Sequence, residues 1–204
     1  MFEITQIIFP IAVLIMSVVL HEVAHGYAAY LHGDKTALFA GRLTLNPLPH
    51  IDMFGSVMLP LIALTTTGTF IGWAKPVPYN PNNLQGKRAE SWVSSAGILA
   101  NISIALVIGI VYKILLSLGV LDETLSNALF TIIFINISLA LFNLIPVPPF
   151  DGAGIVKSFF PRLGFATSRF MYNPIYMIGV IIFASVLYGY IAPYAFSFVY
   201  YLLN

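Results

Sequence analysis

From Ile4 to Leu31 the chain carries one charged side chain, Glu22, in an otherwise apolar run. About 27 residues of helix extend about 40 Å. That exceeds the roughly 30 Å hydrocarbon core of a bilayer. A segment of this kind has few places to go except through a membrane. Three more runs follow: 92–118, 128–146 and 174–203, the last with a kink expected at Pro193. Charged residues make up only 8% of the 204, against roughly 25% in a soluble domain, so much of the solvent is lipid. A secretory leader is a poorer reading of the first run. Glu3 stands where a basic region belongs, and no small-residue cleavage site follows.

The expected architecture is an all-α polytopic membrane protein. It has about four transmembrane helices, a re-entrant segment and a few short β-strands. A single integral-membrane domain covers 1–204, with a core over 5–160 and a C-terminal transmembrane helix at about 174–203. Strands are expected over 33–56, where Gly, Pro and charges interrupt the pattern and Leu43-Thr44-Leu45 alternates weakly. Residues 57–72 are apolar but short, which suits a re-entrant segment.

Lys35, Arg42, Lys75, Lys87 and Arg88 lie between the first two spans, and Lys157, Arg162 and Arg169 between the last two. The N-terminus and the 119–127 connection have no Lys or Arg. Basic loops stay cytoplasmic, so both termini are expected outside, provided 57–72 enters and leaves on one side. The net charge of +1 offers no basic surface for nucleic acid. With no cysteine, any metal site must use His, Asp, Glu or Asn.

The first run holds the chemistry. His21-Glu22-Val23-Ala24-His25 fits H-E-x-x-H, which on a helix puts both imidazoles on one face, within reach of one cation. Glu22 lies beside them as a general base toward water. The pattern also arises by chance, but three ionisable groups inside an apolar helix are costly and functional by default. If hydrocarbon begins near Ile7, His21 lies about 20 Å along the axis. It is then about 10 Å from the cytoplasmic face, buried but reachable by water.

A catalytic zinc site usually has a third protein ligand. His32 falls at the helix end and His50 in a loop among prolines. Glu3, Asp122 and Glu123 lie on the wrong side, and Asp34, Asp52 and Glu90 in polar loops. Asp151 follows the third span and the PVPP break, at the depth of the two histidines. Elimination favours it, with an N-cap role as the alternative.

HEVAH (21–25) together with NLIPVPPFDG (143–152) resembles the site-2 protease family of intramembrane metalloproteases. AGILAN (96–101) is similar to that family's G-x-x-x-N helix, although Ile98 stands where the family has proline. GWAKPVP (72–78) is similar to a loop of its compact members. The resemblance implies one Zn2+ held by His21, His25 and Asp151, with Glu22 activating water. It also implies that Asn101 and Asn143 hold the substrate backbone or the developing oxyanion. A helix-to-helix hydrogen bond is the competing role for either Asn.

The implied enzyme is a zinc metalloendopeptidase that hydrolyses peptide bonds within or near transmembrane segments of membrane-protein substrates, in regulated intramembrane proteolysis at the cell membrane. Its active site is expected near the cytoplasmic side. A substrate helix must unwind first, and its extended segment is expected to pair with an edge strand in 36–46 or the re-entrant region. The rival is a membrane zinc-binding or transport protein, in which Glu22 is itself a ligand.

Overall fold

The computed structural model describes residues 4–58, 65, 74–160 and 174–203. The long helices are α1 (Ile4–Leu31), α3 (Ala89–Ser117), α4 (Glu123–Asn143) and α6 (Pro174–Leu203). Two short ones lie between them, α2 (Thr36–Phe39) and α5 (Asp151–Phe159). The four long helices are each long and apolar enough to cross a membrane. They follow the four apolar runs closely because in lipid every backbone amide must bond within its own segment. α6 continues through Pro193.

α3 is the central element, packed on α1, α4 and α5, while α6 lies against α4 and α3. One half of the bundle is purely apolar, with Ala105, Tyr112, Leu129, Ile133 and Leu203 buried together. Outward positions such as Leu106, Ile110, Ile182 and Val186 are more than half exposed. That surface is stable only against lipid tails. The buried polar groups of the long helices are Ser17 and His21 on α1, Ser91, Ser94 and Asn101 on α3, and Asn136 on α4.

No strand occurs among the described residues, which corrects the expectation for 33–56. Thr36–Phe39 is a helical turn instead. Beyond it, side chains cap the local backbone: Asn46 N–H donates to Thr44 Oγ1 and Leu48 N–H to Asn46 Oδ1. Such local bonds compete with a strand ladder, and Gly41, at φ 66°, turns the chain. The 36–46 segment therefore offers no extended edge to a substrate. Met53–Met58 forms a π-helical turn, and most of the 57–72 segment expected to be re-entrant lies outside the described residues.

Asp34 ties the end of α1 to the loop after residue 74. It is fully buried and accepts from Thr36 N–H, Thr36 Oγ1, Asn80 N–H and Asn83 Nδ2 at 2.6–3.1 Å. Burial pushes its carboxyl up, but these donors more than offset that and hold it below the usual carboxylate range. The loop is further fixed by Lys75 N–H on His50 O and by Arg42 Nη2 on Lys75 O.

Candidate metal centre

His21 and His25 lie one turn apart on α1 and turn their Nε2 atoms to one point, 3.1 Å from each other. Asp151, the first residue of α5, brings its Oδ2 to 3.1 Å from His21 Nε2 and 3.0 Å from His25 Nε2. Asp151 does not cap α5; Phe150 holds the N-cap position, without a side-chain bond. The PVPP break between α4 and α5 delivers the carboxylate to the histidines. Among the described residues this is the one cluster of His, Asp and Glu able to hold a metal ion.

The ring nitrogens decide what the cluster can bind. His21 Nδ1 lies 2.6 Å from Asn101 Oδ1, and His25 Nδ1 lies 2.6 Å from the backbone oxygen of Val93. Carbonyl oxygens only accept, so each imidazole donates its Nδ1–H. A neutral ring then presents a bare lone pair at Nε2. Asp151 Oδ2, buried, has no hydrogen-bond donor of its own. Three acceptor atoms thus face one another with no proton assigned between them, an arrangement that a cation relieves. Ligands about 2.0–2.1 Å from a tetrahedral zinc lie roughly 3.3 Å apart, close to the observed spacing. Two imidazoles and a carboxylate suit zinc by donor type.

α3 is shaped to this pair. Val93, Gly97 and Asn101 recur at four-residue spacing and so lie on one face. Val93 and Asn101 hold the two imidazoles. Between them, a Cβ on Gly97 would collide with both rings, so glycine is what lets α3 lie against the metal face. A Cβ on Gly152 would likewise strike the carbonyls of Leu144 and Ile145, so the turn after Asp151 also demands glycine.

Glu22 stands outside the three-atom cluster. Its Oε2 accepts from Val77 N–H at 2.8 Å, so the loop over 74–80 fixes the carboxylate. His32 and His50 are elsewhere: His32 Nδ1 meets Ala28 O, and His50, buried, meets Thr44 O through Nε2. Asn143 Nδ2 donates to Leu139 O on its own helix and is half-buried. Asn101 is fully buried, and its carboxamide is engaged by His21, Asn136 and Ser17.

Sequence reasoning did not single out Val93, Ser17 or Asn136. A backbone carbonyl leaves no sequence signal. Asn136 did leave one, as an amide in the middle of an apolar run, where polar residues are functional by default.

Peptidase family M50 matches the chain over residues 9–186. The provisionally named zinc metalloprotease YwhC of Bacillus subtilis (strain 168) is 36% identical over 160 residues, covering 75% of this chain and 69% of that protein. Rip2 of Mycolicibacterium smegmatis, also provisionally named a zinc metalloprotease, is 31% identical over 167 residues, covering 79% of this chain and 60% of that protein. Rip2 of Mycobacterium tuberculosis (strain H37Rv) is 25% identical over 162 residues, again covering 60% of the relative. No solved structure matches significantly.

Proposed function

The chain belongs to peptidase family M50, the site-2 protease family, and on that premise we propose that it is an intramembrane zinc endopeptidase. Its substrates are membrane proteins cut within or near a transmembrane segment, as in regulated intramembrane proteolysis. The observation that carries the proposal is the convergence of His21 Nε2, His25 Nε2 and Asp151 Oδ2 with Glu22 beside but outside them. His21, His25 and Asp151 hold one zinc ion, which polarises the scissile carbonyl and acidifies water when bound. Glu22 takes a proton from the attacking water and returns it to the departing amine nitrogen. Val77 N–H keeps that carboxylate directed while it does so.

Asn143 faces the substrate. One of its two amide protons is used on Leu139 O, and the other can donate to a substrate carbonyl or oxyanion. Asn101 serves the metal face instead, through His21. The cell membrane is the proposed location, with the site near the cytoplasmic face, on the basic side of the topology.

Glu22→Gln in purified protein tests the reading. The proposal expects no cleavage of a single-span substrate, and cleavage at the wild-type rate would overturn it. The zinc-carrier alternative requires Glu22 as a ligand, and its placement against Val77 N–H disfavours that.

A further inference from the structure

Behind the metal face runs a closed polar chain that crosses three helices: His21 on α1, Asn101 on α3, Asn136 on α4, and back to Ser17 on α1. Asn101 and Asn136 are fully buried, and Ser17 nearly so. Asn136 Nδ2 donates to Ile132 O at 2.9 Å and to Ser17 Oγ at 3.0 Å. Its Oδ1 accepts from Asn101 Nδ2 at 2.9 Å. Asn101 Nδ2 also reaches Ser17 O at 3.4 Å, and Asn101 Oδ1 meets His21 Nδ1 at 2.6 Å.

The direction of this chain is not free. Ile132 O and Ser17 O are backbone carbonyls, which accept only and cannot turn over. Each therefore requires an amide nitrogen to face it, which sets Asn136 with Nδ2 toward Ile132 and Oδ1 toward Asn101. Asn101 must then donate to Asn136 and turn Oδ1 to His21. His21 must in turn carry its proton on Nδ1. Every amide proton and both amide oxygens are used, so a flip of either carboxamide leaves a buried group unpaired.

We propose that Asn136 is a positioning residue of the metal centre: through Asn101 it holds His21 as the Nδ1–H tautomer, leaving Nε2 to bind a divalent cation. The inference rests on the zinc reading above. An ordinary interhelical bond would need only the contact, whereas this role needs the direction of each amide.

The test uses the full chain in detergent micelles, with zinc affinity measured by competition against a chromophoric chelator. Partners of metal-ligating histidines usually contribute 10–100-fold in affinity. Asn136→Leu is expected to weaken zinc about tenfold or more. Asn136→Asp, measured at a pH where its buried carboxyl is protonated, is expected to stay within about threefold of wild type, because the acid then keeps one donor for Ile132 O and one acceptor for Asn101. Asn136→Leu within about twofold of wild type, or equal losses in both variants, would overturn the proposal. Nitrogen-15 NMR of metal-free wild type, at a pH where the imidazoles are neutral, gives a readout that needs no variant to fold. A proton on His21 Nδ1 is expected, and a proton on Nε2 overturns the inference. That measurement needs no metal, so it separates failure of the relay from failure of the protease reading, which would appear as wild-type protein that binds no zinc.

Discussion

Gly97→Ala adds one methyl where α3 meets both imidazoles. Two effects oppose each other. Alanine favours a helix over glycine by about 1 kcal/mol. Against that, the new Cβ would collide with His21 and His25 at a separation real Cβ atoms essentially never show. Carbon needs about 3.5 Å to its neighbours, so α3 must retreat by roughly 1 Å or the rings must turn. A retreat of that size stretches the two 2.6 Å bonds, His21 Nδ1 to Asn101 and His25 Nδ1 to Val93 O, to about 3.6 Å, beyond hydrogen-bond range. Overpacking costs about 1–3 kcal/mol in stability, which the propensity gain only partly offsets. The loss at the metal is larger. Two supporting bonds at about 10–100-fold each predict zinc affinity at least about 100-fold weaker, or about 2.7 kcal/mol. Chelator competition measures this, with Gly189→Ala as the control, since a Cβ there meets nothing within 4 Å. Gly97→Ala binding zinc within about threefold of wild type would refute the account of how α3 builds the site.

Three further outcomes follow from the same geometry. Asn101→Leu should weaken zinc about 10–100-fold, whereas a role confined to the substrate would leave zinc affinity unchanged and lower only turnover. Val77→Pro removes the N–H that Glu22 accepts; a hydrogen bond to a charged group is worth about 1.5–3 kcal/mol, so kcat should fall about 10–100-fold with zinc content unchanged. Asp34→Ala should lower the melting temperature at neutral pH. Because folding depresses the Asp34 carboxyl, its contribution is present above the unfolded value of about 3.9 and is lost as pH falls through the folded one. The difference between wild type and variant should therefore shrink below about pH 4 in melting curves taken across pH, and a gap that persists there would count against this role.

The membrane helices were legible because lipid enforces a length and a composition that the chain displays directly. H-E-x-x-H was legible because a four-residue spacing has one meaning on a helix. Asp151 stands beside the two histidines, as elimination and depth suggest, because it follows an apolar span and the PVPP break rather than lying in a polar loop. The loops were not legible. Leu43-Thr44-Leu45 alternates like a strand, but Thr44 and Asn46 bond their own backbone and Gly41 turns the chain. For Asn101 the sequence leaves a substrate role and a helix-to-helix bond both open; its contact with the far nitrogen of His21 depends on how α1 and α3 pack. Gly97 was visible as part of a motif, but its purpose, space for two imidazoles, emerges only when both helices are in place. Asp34 looked like an ordinary loop acid; its four donors come from residues up to 49 positions away.

In the proposed enzyme His21, His25 and Asp151 hold the metal while Glu22 acts on water. Metal analysis of purified wild type, Asp151→Ala and Glu22→Gln, alongside one cleavage assay, tests it most directly. One zinc per chain is expected in wild type and in Glu22→Gln, little in Asp151→Ala, and cleavage by wild type alone. Zinc lost from Glu22→Gln, or retained in full by Asp151→Ala, would contradict it.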